Sequence, residues 1–245
     1  MPNSYFQFKQ FKVNQEKSAM KVSTDACILG AYVSQYYAVR ANNILDIGSG
    51  TGLLTLMLAQ MSSCPIQAVE IDENAYLQTQ ENFAQSPWER RLDVFLGSIQ
   101  DFTAGKAPSY DLVICNPPFF INSLKSDNKE RNLARHTDSL SFGDLLTCVN
   151  LLLLLQGIFV VLLPLREAQF FEHELLKYYP HLIILEKLKI QDNPKKEPHR
   201  VILVLEKQSQ EQNHTIAYKN FIIKDIEGIY TSDFVDLMKD YYLKL

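Results

Sequence analysis

Four cysteines, Cys27, Cys64, Cys115 and Cys148, are all that the 245 residues contain, and no two of them form a C-x-x-C pair. They stand far apart in mostly apolar surroundings, where a thiol packs as a small hydrophobe. This spacing excludes a disulfide scaffold and a zinc knuckle, and points to a reducing, cytoplasmic setting. The five histidines have no metal spacing, so no metal is expected. A basic coat is also missing: 24 Lys and Arg face 28 Asp and Glu, for a formal charge of −4. A generally basic nucleic-acid surface is thereby excluded, while a local one is not. The opening MPNSYFQFKQFKV lacks the basic-then-apolar order of a signal peptide. The one long apolar stretch, Val149 to Leu165, is interrupted by Asn150, Gln156 and Gly157 and falls short of the roughly 20 residues that cross a bilayer. It reads as a helix end, a turn and a buried strand. Neither an internal repeat nor a low-complexity tract is visible.

What is present is enough apolar material, 47% of residues, for one substantial core. Short aliphatic runs at Asn43–Ile47, Ile66–Ile71, Leu92–Leu96, Leu112–Cys115, Ile158–Leu163, Leu182–Lys189 and Val201–Glu206 read as strands. Between them, apolar residues recur at helical spacing over Leu53–Met61, Glu73–Gln85, Phe142–Leu155 and Glu167–Tyr178. Such alternation predicts an α/β fold, a largely parallel sheet with helices on both faces. A single domain is expected over 1–245: an N-terminal cap segment over 1–42, a core over 43–207, and a C-terminal strand and helix extension over 208–245.

Two connections carry chemical information. The first strand runs into Asp46-Ile47-Gly48-Ser49-Gly50-Thr51-Gly52, and a helix opens at Leu53. A glycine-rich strand-to-helix turn lets backbone approach a ligand and aims free N–H groups at it. Leu53 stands where a dehydrogenase-type G-x-G-x-x-G needs its third glycine. About 20 residues on, the second strand ends in Glu70, where an acidic side chain in this topology can accept from both hydroxyls of a ribose. Asp72 lies beyond the strand's buried register. The fourth strand then ends in Ile114-Cys115-Asn116-Pro117-Pro118-Phe119-Phe120.

Glycine loop, acidic strand end and N-P-P-F, in that order, resemble the Rossmann-like S-adenosylmethionine-dependent methyltransferases that act on an exocyclic or amide nitrogen. The resemblance implies a seven-stranded sheet of order 3-2-1-4-5-7-6 with strand 7 antiparallel. It also implies a catalytic tip of Asn116, Pro117, Pro118 and Phe119. The side-chain oxygen of Asn116 and the carbonyl of Pro117 can each take one N–H of an amine whose lone pair is delocalised. Fixed dipoles aimed at the nitrogen then need no reorganisation as charge develops. Two prolines stiffen the turn, and Phe119 offers a stacking face for a base.

Three more segments, Met20 to Ala26 with Leu29-Gly30-Ala31, Ser86 to Arg91 and Pro198 to Leu203, are similar to the bacterial tRNA1(Val) adenine-37 N6-methyltransferase family, as is the end from Tyr230-Thr231 to Leu243. By that resemblance Lys21, Thr24 and Asp25 belong to a segment closing over the cofactor's methionine end. Thr24 or Asp25 as a plain helix N-cap is the competing reading. Asp46, Gly48, Gly50 and Gly52 form the cofactor loop, Glu70 holds the ribose, and Ser98, Ile99 and Asn116 complete the cofactor set. Ser98 departs from the family, which places an aspartate there to accept from the cofactor's adenine amine; a hydroxyl accepts that bond more weakly.

The implied partner is tRNA, met by a monomer without metal or membrane. Lys9, Lys12, Lys17 and Lys21, interleaved with Tyr5, Phe6, Phe8 and Phe11, make one candidate RNA edge, although aromatics at alternate positions fit an ordinary strand equally well. Lys125, Lys129, Arg131 and Arg135 follow the tip in a polar segment expected to be a mobile loop. Lys195, Lys196 and Arg200 make a third patch. An anticodon loop suits such an enzyme, because flipping a base from a loop costs only a few kcal/mol. Other readings are a protein glutamine N5-methyltransferase, whose amide poses the same lone-pair problem, and a module that binds cofactor or RNA without transfer.

Overall fold

The structure, a computed structural model, describes residues 3–117, 140–209 and 214–245. Strands β1 (Tyr5–Gln7) and β2 (Lys12–Asn14) pair antiparallel in a small hairpin. The main sheet holds β3 (Ile44–Ile47), β4 (Ile66–Glu70), β5 (Leu92–Leu96), β6 (Tyr110–Cys115), β7 (Leu153–Pro164), β8 (Leu182–Gln191), β9 (Arg200–Lys207) and β10 (Ala217–Ile222). Their order is β10-β8-β9-β7-β6-β3-β4-β5. Counted from β3, the first seven therefore lie 3-2-1-4-5-7-6, with β9 antiparallel to both neighbours, as expected. The addition is β10, parallel to β8. It covers a row of backbone donors and acceptors that would otherwise be an open edge.

Helices α1 (Thr24–Tyr36), α2 (Leu53–Met61), α3 (Glu73–Ala84) and α4 (Ile99–Thr103) precede helices Phe142–Leu152, Leu165–Tyr178 and Ser232–Met238. One core joins α1, α2, the hairpin and Ser232–Met238 to one sheet face; the other joins α4, Phe142–Leu152 and Leu165–Tyr178 to the opposite face. Sequence periodicity does not reveal α1 because Ala26 to Ser34 are buried all round the helix. Its neighbour α2 is so close that a Cβ on Gly30 would lie 2.6 Å from the Met57 sulfur. Ser23 caps α1, accepting from the Ala26 N–H at 3.3 Å, so Thr24 and Asp25 are its first helical residues rather than its cap.

The stretch Val149 to Leu165 contains the helix end and the buried strand, but no turn between them: the helix stops at Leu152 and β7 starts at Leu153. The irregularity falls inside the strand, where Gln156 adopts φ 63° beside Gly157 and the register with β6 slips between Tyr110 and Leu112. No described helix is long and apolar enough to cross a membrane. All four cysteines are free and buried. Phe8 and Phe11 are buried and stacked at 4.5 Å, with Trp88 edge-on to Phe11. Those two rings sit in the turn between β1 and β2 and belong to the core.

Candidate active site

Strand β3 is buried along its whole length and carries Asp46 into the interior. One Asp46 oxygen accepts from the Thr55 hydroxyl at 2.7 Å and from its N–H at 3.2 Å, tying strand to helix α2. The other oxygen, Oδ1, is buried with no partner among the described residues. Burial pushes this carboxyl up to about 7, with the Thr55 bonds pulling it back and the Glu70 charge adding to the rise.

The glycines that follow divide into two roles. At Gly52, with φ 77°, a Cβ would lie 2.7 Å from the Phe83 ring, so this glycine serves packing against α3. At Gly48, with φ 76°, a Cβ would meet nothing within 4 Å, so the backbone faces open space. Between them the Gly50 N–H donates to Glu70 Oε2 at 2.7 Å, while Glu70 Oε1 accepts from the Asp72 N–H at 2.9 Å. Glu70 is therefore a brace for the loop as well as a carboxylate beside it, and each oxygen keeps acceptor capacity. Asp72 caps α3 through the Ala75 N–H at 2.8 Å.

Further side chains hold the loop from outside. Asn82 donates to the carbonyls of Asn14 and Thr51, both at 2.8 Å, and accepts from the Asn14 N–H at 2.9 Å. Thr79 donates to the Gly50 carbonyl at 3.1 Å. Sequence reasoning missed both, since a polar residue on a helix gives no sign of its partner. Lys21 donates to the carbonyls of Gln15 and Ser18, folding the segment before α1 upon itself. The Ser18 hydroxyl lies 3.9 Å from where a Gly50 Cβ would be, which sets that segment beside the loop.

Ile47 pairs with Cys115 across β3 and β6, so Asn116 leaves the sheet directly alongside Gly48. Asn116 is half-buried, its Oδ1 is buried without a hydrogen-bond partner among the described residues, and Pro117 is buried. An unsatisfied buried acceptor costs about 1–3 kcal/mol, which fits an atom awaiting a donor from a ligand. At the β5 end, Ser98 caps α4, accepting from the Asp101 N–H at 3.0 Å and donating to its carboxylate at 2.6 Å. Ile99 is buried in the second core. A residue missed in the sequence is Ile71, 66% exposed immediately after Glu70. Its signal was an apolar branched side chain just past the last buried position of β4.

The chain matches the Methyltransferase small domain family over residues 27–149. A tRNA1(Val) (adenine(37)-N6)-methyltransferase from Cytophaga hutchinsonii is 41% identical over 246 residues, covering 100% of both chains. One of the same name from Pseudoalteromonas translucida is 42% identical, covering 99% of this chain and 100% of its own. The chain belongs to the tRNA1(Val) (adenine(37)-N6)-methyltransferase family. Among solved structures, TYW2 of Pyrococcus horikoshii in complex with MeSAdo aligns with a TM-score of 0.60 at 15% identity, over 84% of this chain and 71% of that one. A predicted O-methyltransferase, Atu636 of Agrobacterium tumefaciens, aligns with a TM-score of 0.69 at 15% identity, over 89% and 96%. Both share the fold.

S-adenosylmethionine, the cofactor of this methyltransferase family, fits the residues present. Open space at Gly48, the Glu70 carboxylate at the loop and the exposed apolar Ile71 suit backbone, ribose and ring respectively. The other expected residues divide. Asp25 pairs with His199 at 3.1 Å and Arg200 at 3.6 Å in α1's first turn. Lys9 donates to the Lys239 carbonyl, so its ammonium is engaged within the fold. The Lys12 ammonium stands 5.6 Å from the Tyr5 ring centre. Lys195 and Lys196 sit in the β8–β9 turn, Lys196 paired with Asp192 at 2.7 Å. Pro118, Phe119, Lys125, Lys129, Arg131 and Arg135 lie outside the described residues. Among the described residues, no group of three His, Cys, Asp or Glu could hold a metal ion.

Proposed function

We propose that this chain methylates N6 of adenosine 37 in the anticodon loop of tRNA1(Val), the reaction for which its relatives are named, at the tip of β6. The observation that carries this reading is the buried Oδ1 of Asn116 beside Gly48, which has no partner among the described residues. Bound S-adenosylmethionine supplies an electrophilic methyl group on a sulfonium. The protein's own work is to present the amine: Asn116 Oδ1 accepts one exocyclic N–H and the Pro117 carbonyl the other, drawing lone-pair density back toward nitrogen. Both acceptors are set by a buried strand and a proline, so they are aimed before the base arrives. Phe119 stacks on the extruded base. No side-chain base is required, because the alkylated nitrogen sheds its proton readily.

On the cofactor side, Gly48, Gly50 and Gly52 shape the loop, Glu70 holds the ribose hydroxyls, and Lys21, Thr24 and Asp25 shape the adjoining wall. Asp46 acts through Thr55, fixing where the helix begins. Ser98 keeps one lone pair for an adenine amine beyond its capping bonds. The enzyme acts as a monomer in the cytoplasm, a reducing setting that suits its free, buried cysteines. Incubating tRNA, and separately a glutamine-bearing peptide, with labelled cofactor tests the reading. Label in tRNA adenosine is the expected result, and label in the peptide alone would overturn it.

A further inference from the structure

A second cleft, of about 540 Å³, opens at the same end of the sheet as the glycine loop and Asn116 but toward its other side. Thr24 and Asp25 from α1, Asp192, Asn193, Lys196 and His199 from the β8–β9 turn, and Lys224 and Tyr230 beyond β10 line it. The register places its floor at the level of the site: Pro164 at the end of β7 pairs with Arg200 of β9, and Gln191 at the end of β8 pairs with Ile222 of β10. With strands about 4.8 Å apart, β8 and β10 lie about 14–19 Å from β6. The volume falls within the ordinary range for small-ligand sites.

Its chemistry is that of a phosphate-and-ring site. The Lys224 ammonium makes no ion pair among the described residues and stands 5.0 Å from the Tyr230 ring centre. Among the described residues Lys196 is paired with Asp192, in a pair whose side chains are 61% and 47% exposed. Such solvated pairs exchange partners at little cost. Tyr230 is itself fixed, stacked at 4.5 Å and 13° on Phe234, yet remains 41% exposed. Asn193 adds an amide, and the two acids present are each already engaged, Asp25 with His199 and Arg200 and Asp192 with Lys196.

We propose that this cleft binds one nucleotide of the RNA flanking the target adenosine, with Lys224 and Lys196 on its phosphate and Tyr230 against its sugar or base. The proposal rests on RNA being the substrate. It makes the C-terminal segment after β10 part of the enzyme's hold on its RNA, apart from the β6 tip. Aromatic-plus-cation sites of this kind bind flipped or single-stranded nucleotides with little demand on sequence.

The test compares wild type with Lys224→Glu, Lys224→Ala, Tyr230→Phe and Tyr230→Ala in titrations of a labelled anticodon stem-loop RNA, which need no turnover. Cofactor affinity and melting temperature serve as the check on folding. Lys224→Glu and Tyr230→Ala are expected to weaken RNA binding at least tenfold and raise the tRNA KM in step, with kcat and cofactor affinity unchanged. Tyr230→Phe should stay near wild type. Lys224→Ala should lower the slope of log affinity against log salt by about 0.7–0.9, the release of one phosphate contact. RNA affinity and salt slope unchanged in Lys224→Glu would overturn the proposal. Failure of the wild type to methylate any adenosine would instead count against the assigned reaction, which the binding titration does not use.

Discussion

The two sides of the main sheet are built differently. On the side of β3, β4, β5 and β6 the strands run parallel, are 4 to 6 residues long, and stop at Gly48, Ile71, Gly97 and Asn116. On the side of β7, β9, β8 and β10 most strands are longer, up to 12 residues, β9 runs against its neighbours, and the outermost strand is largely exposed. On the first side β3, β4 and β6 are mostly buried, and the residues at the tips of β4 and β6, Glu70 and Asn116, carry acceptor oxygens with unused capacity. The longer β7 and β9 are mostly buried as well, and the outer pair β8 and β10 carries paired lysines, Lys187 with Glu172 and Lys219 with Glu186. The comparison assigns bond-making to the first side and grip on the RNA to the second.

The sharpest way to break that division is Asn116→Ala. Transfer should fall by about 10²–10³, the usual worth of one preorganised dipole at a developing charge, while calorimetry shows cofactor affinity within severalfold of wild type. Unchanged turnover would remove the first side's claim to the chemistry. Next comes Asp46, whose carboxyl titrates near 7 in the fold against 3.8 in the open chain. The folded protein then holds a proton that the unfolded chain releases. Its contribution is full below about pH 4 and lost as pH rises toward 7, about 2–4 kcal/mol across that range. Thermal melts of Asp46→Asn from pH 5 to 8 should therefore gain on wild type as pH rises; parallel curves would contradict the assigned burial.

On the second side, Glu186→Gln is expected to cost about 1–3 kcal/mol of stability, seen in urea titration, with kcat unchanged. Buried Glu186 is bonded to Tyr32 and paired with Lys219 at 2.5 Å, far from any reacting group. A fall in kcat would show that the two sides are coupled. Within the loop, Gly48→Ala and Gly52→Ala both strain a left-handed backbone by about 1–2 kcal/mol. Only Gly52→Ala also collides with Phe83, so its melting temperature should fall further, whereas Gly48→Ala should lose cofactor affinity with the smaller stability change. The smallest effect is expected of Ser98→Ala, about 1 kcal/mol from the lost α4 cap, with Ser98→Asp restoring the cap in the same melts.

The first side was the more legible in sequence, for physical reasons. Strands β3 to β6 are short and apolar, and a glycine loop, a strand-end glutamate and N-P-P cannot be mistaken for periodic structure. The seven-strand order came by resemblance, since spacing alone does not order strands. Less visible was α1, whose residues are buried all round; β10 was expected only as a strand somewhere in 208–245, because its Ala-Tyr-Lys-Asn alternates no apolar residues. The capping bonds of Ser98 to Asp101 could not be read from its place after β5, which marked it only as a candidate for the cofactor's adenine. The pairing of Lys9 with the Lys239 carbonyl joins residues 230 positions apart, which local pattern cannot reveal. Asn82 and Ile71 became meaningful only once the loop had a shape.

The central claim is that the β6 tip methylates one adenine nitrogen of tRNA. Its most direct test is mass-spectrometric mapping of methylated nucleosides in tRNA1(Val) after incubation with wild type and with Asn116→Ala. The prediction is N6-methyladenosine at position 37 alone with wild type, and almost none with the variant. Methyl on guanine, on protein only, or at equal levels with both enzymes would contradict it.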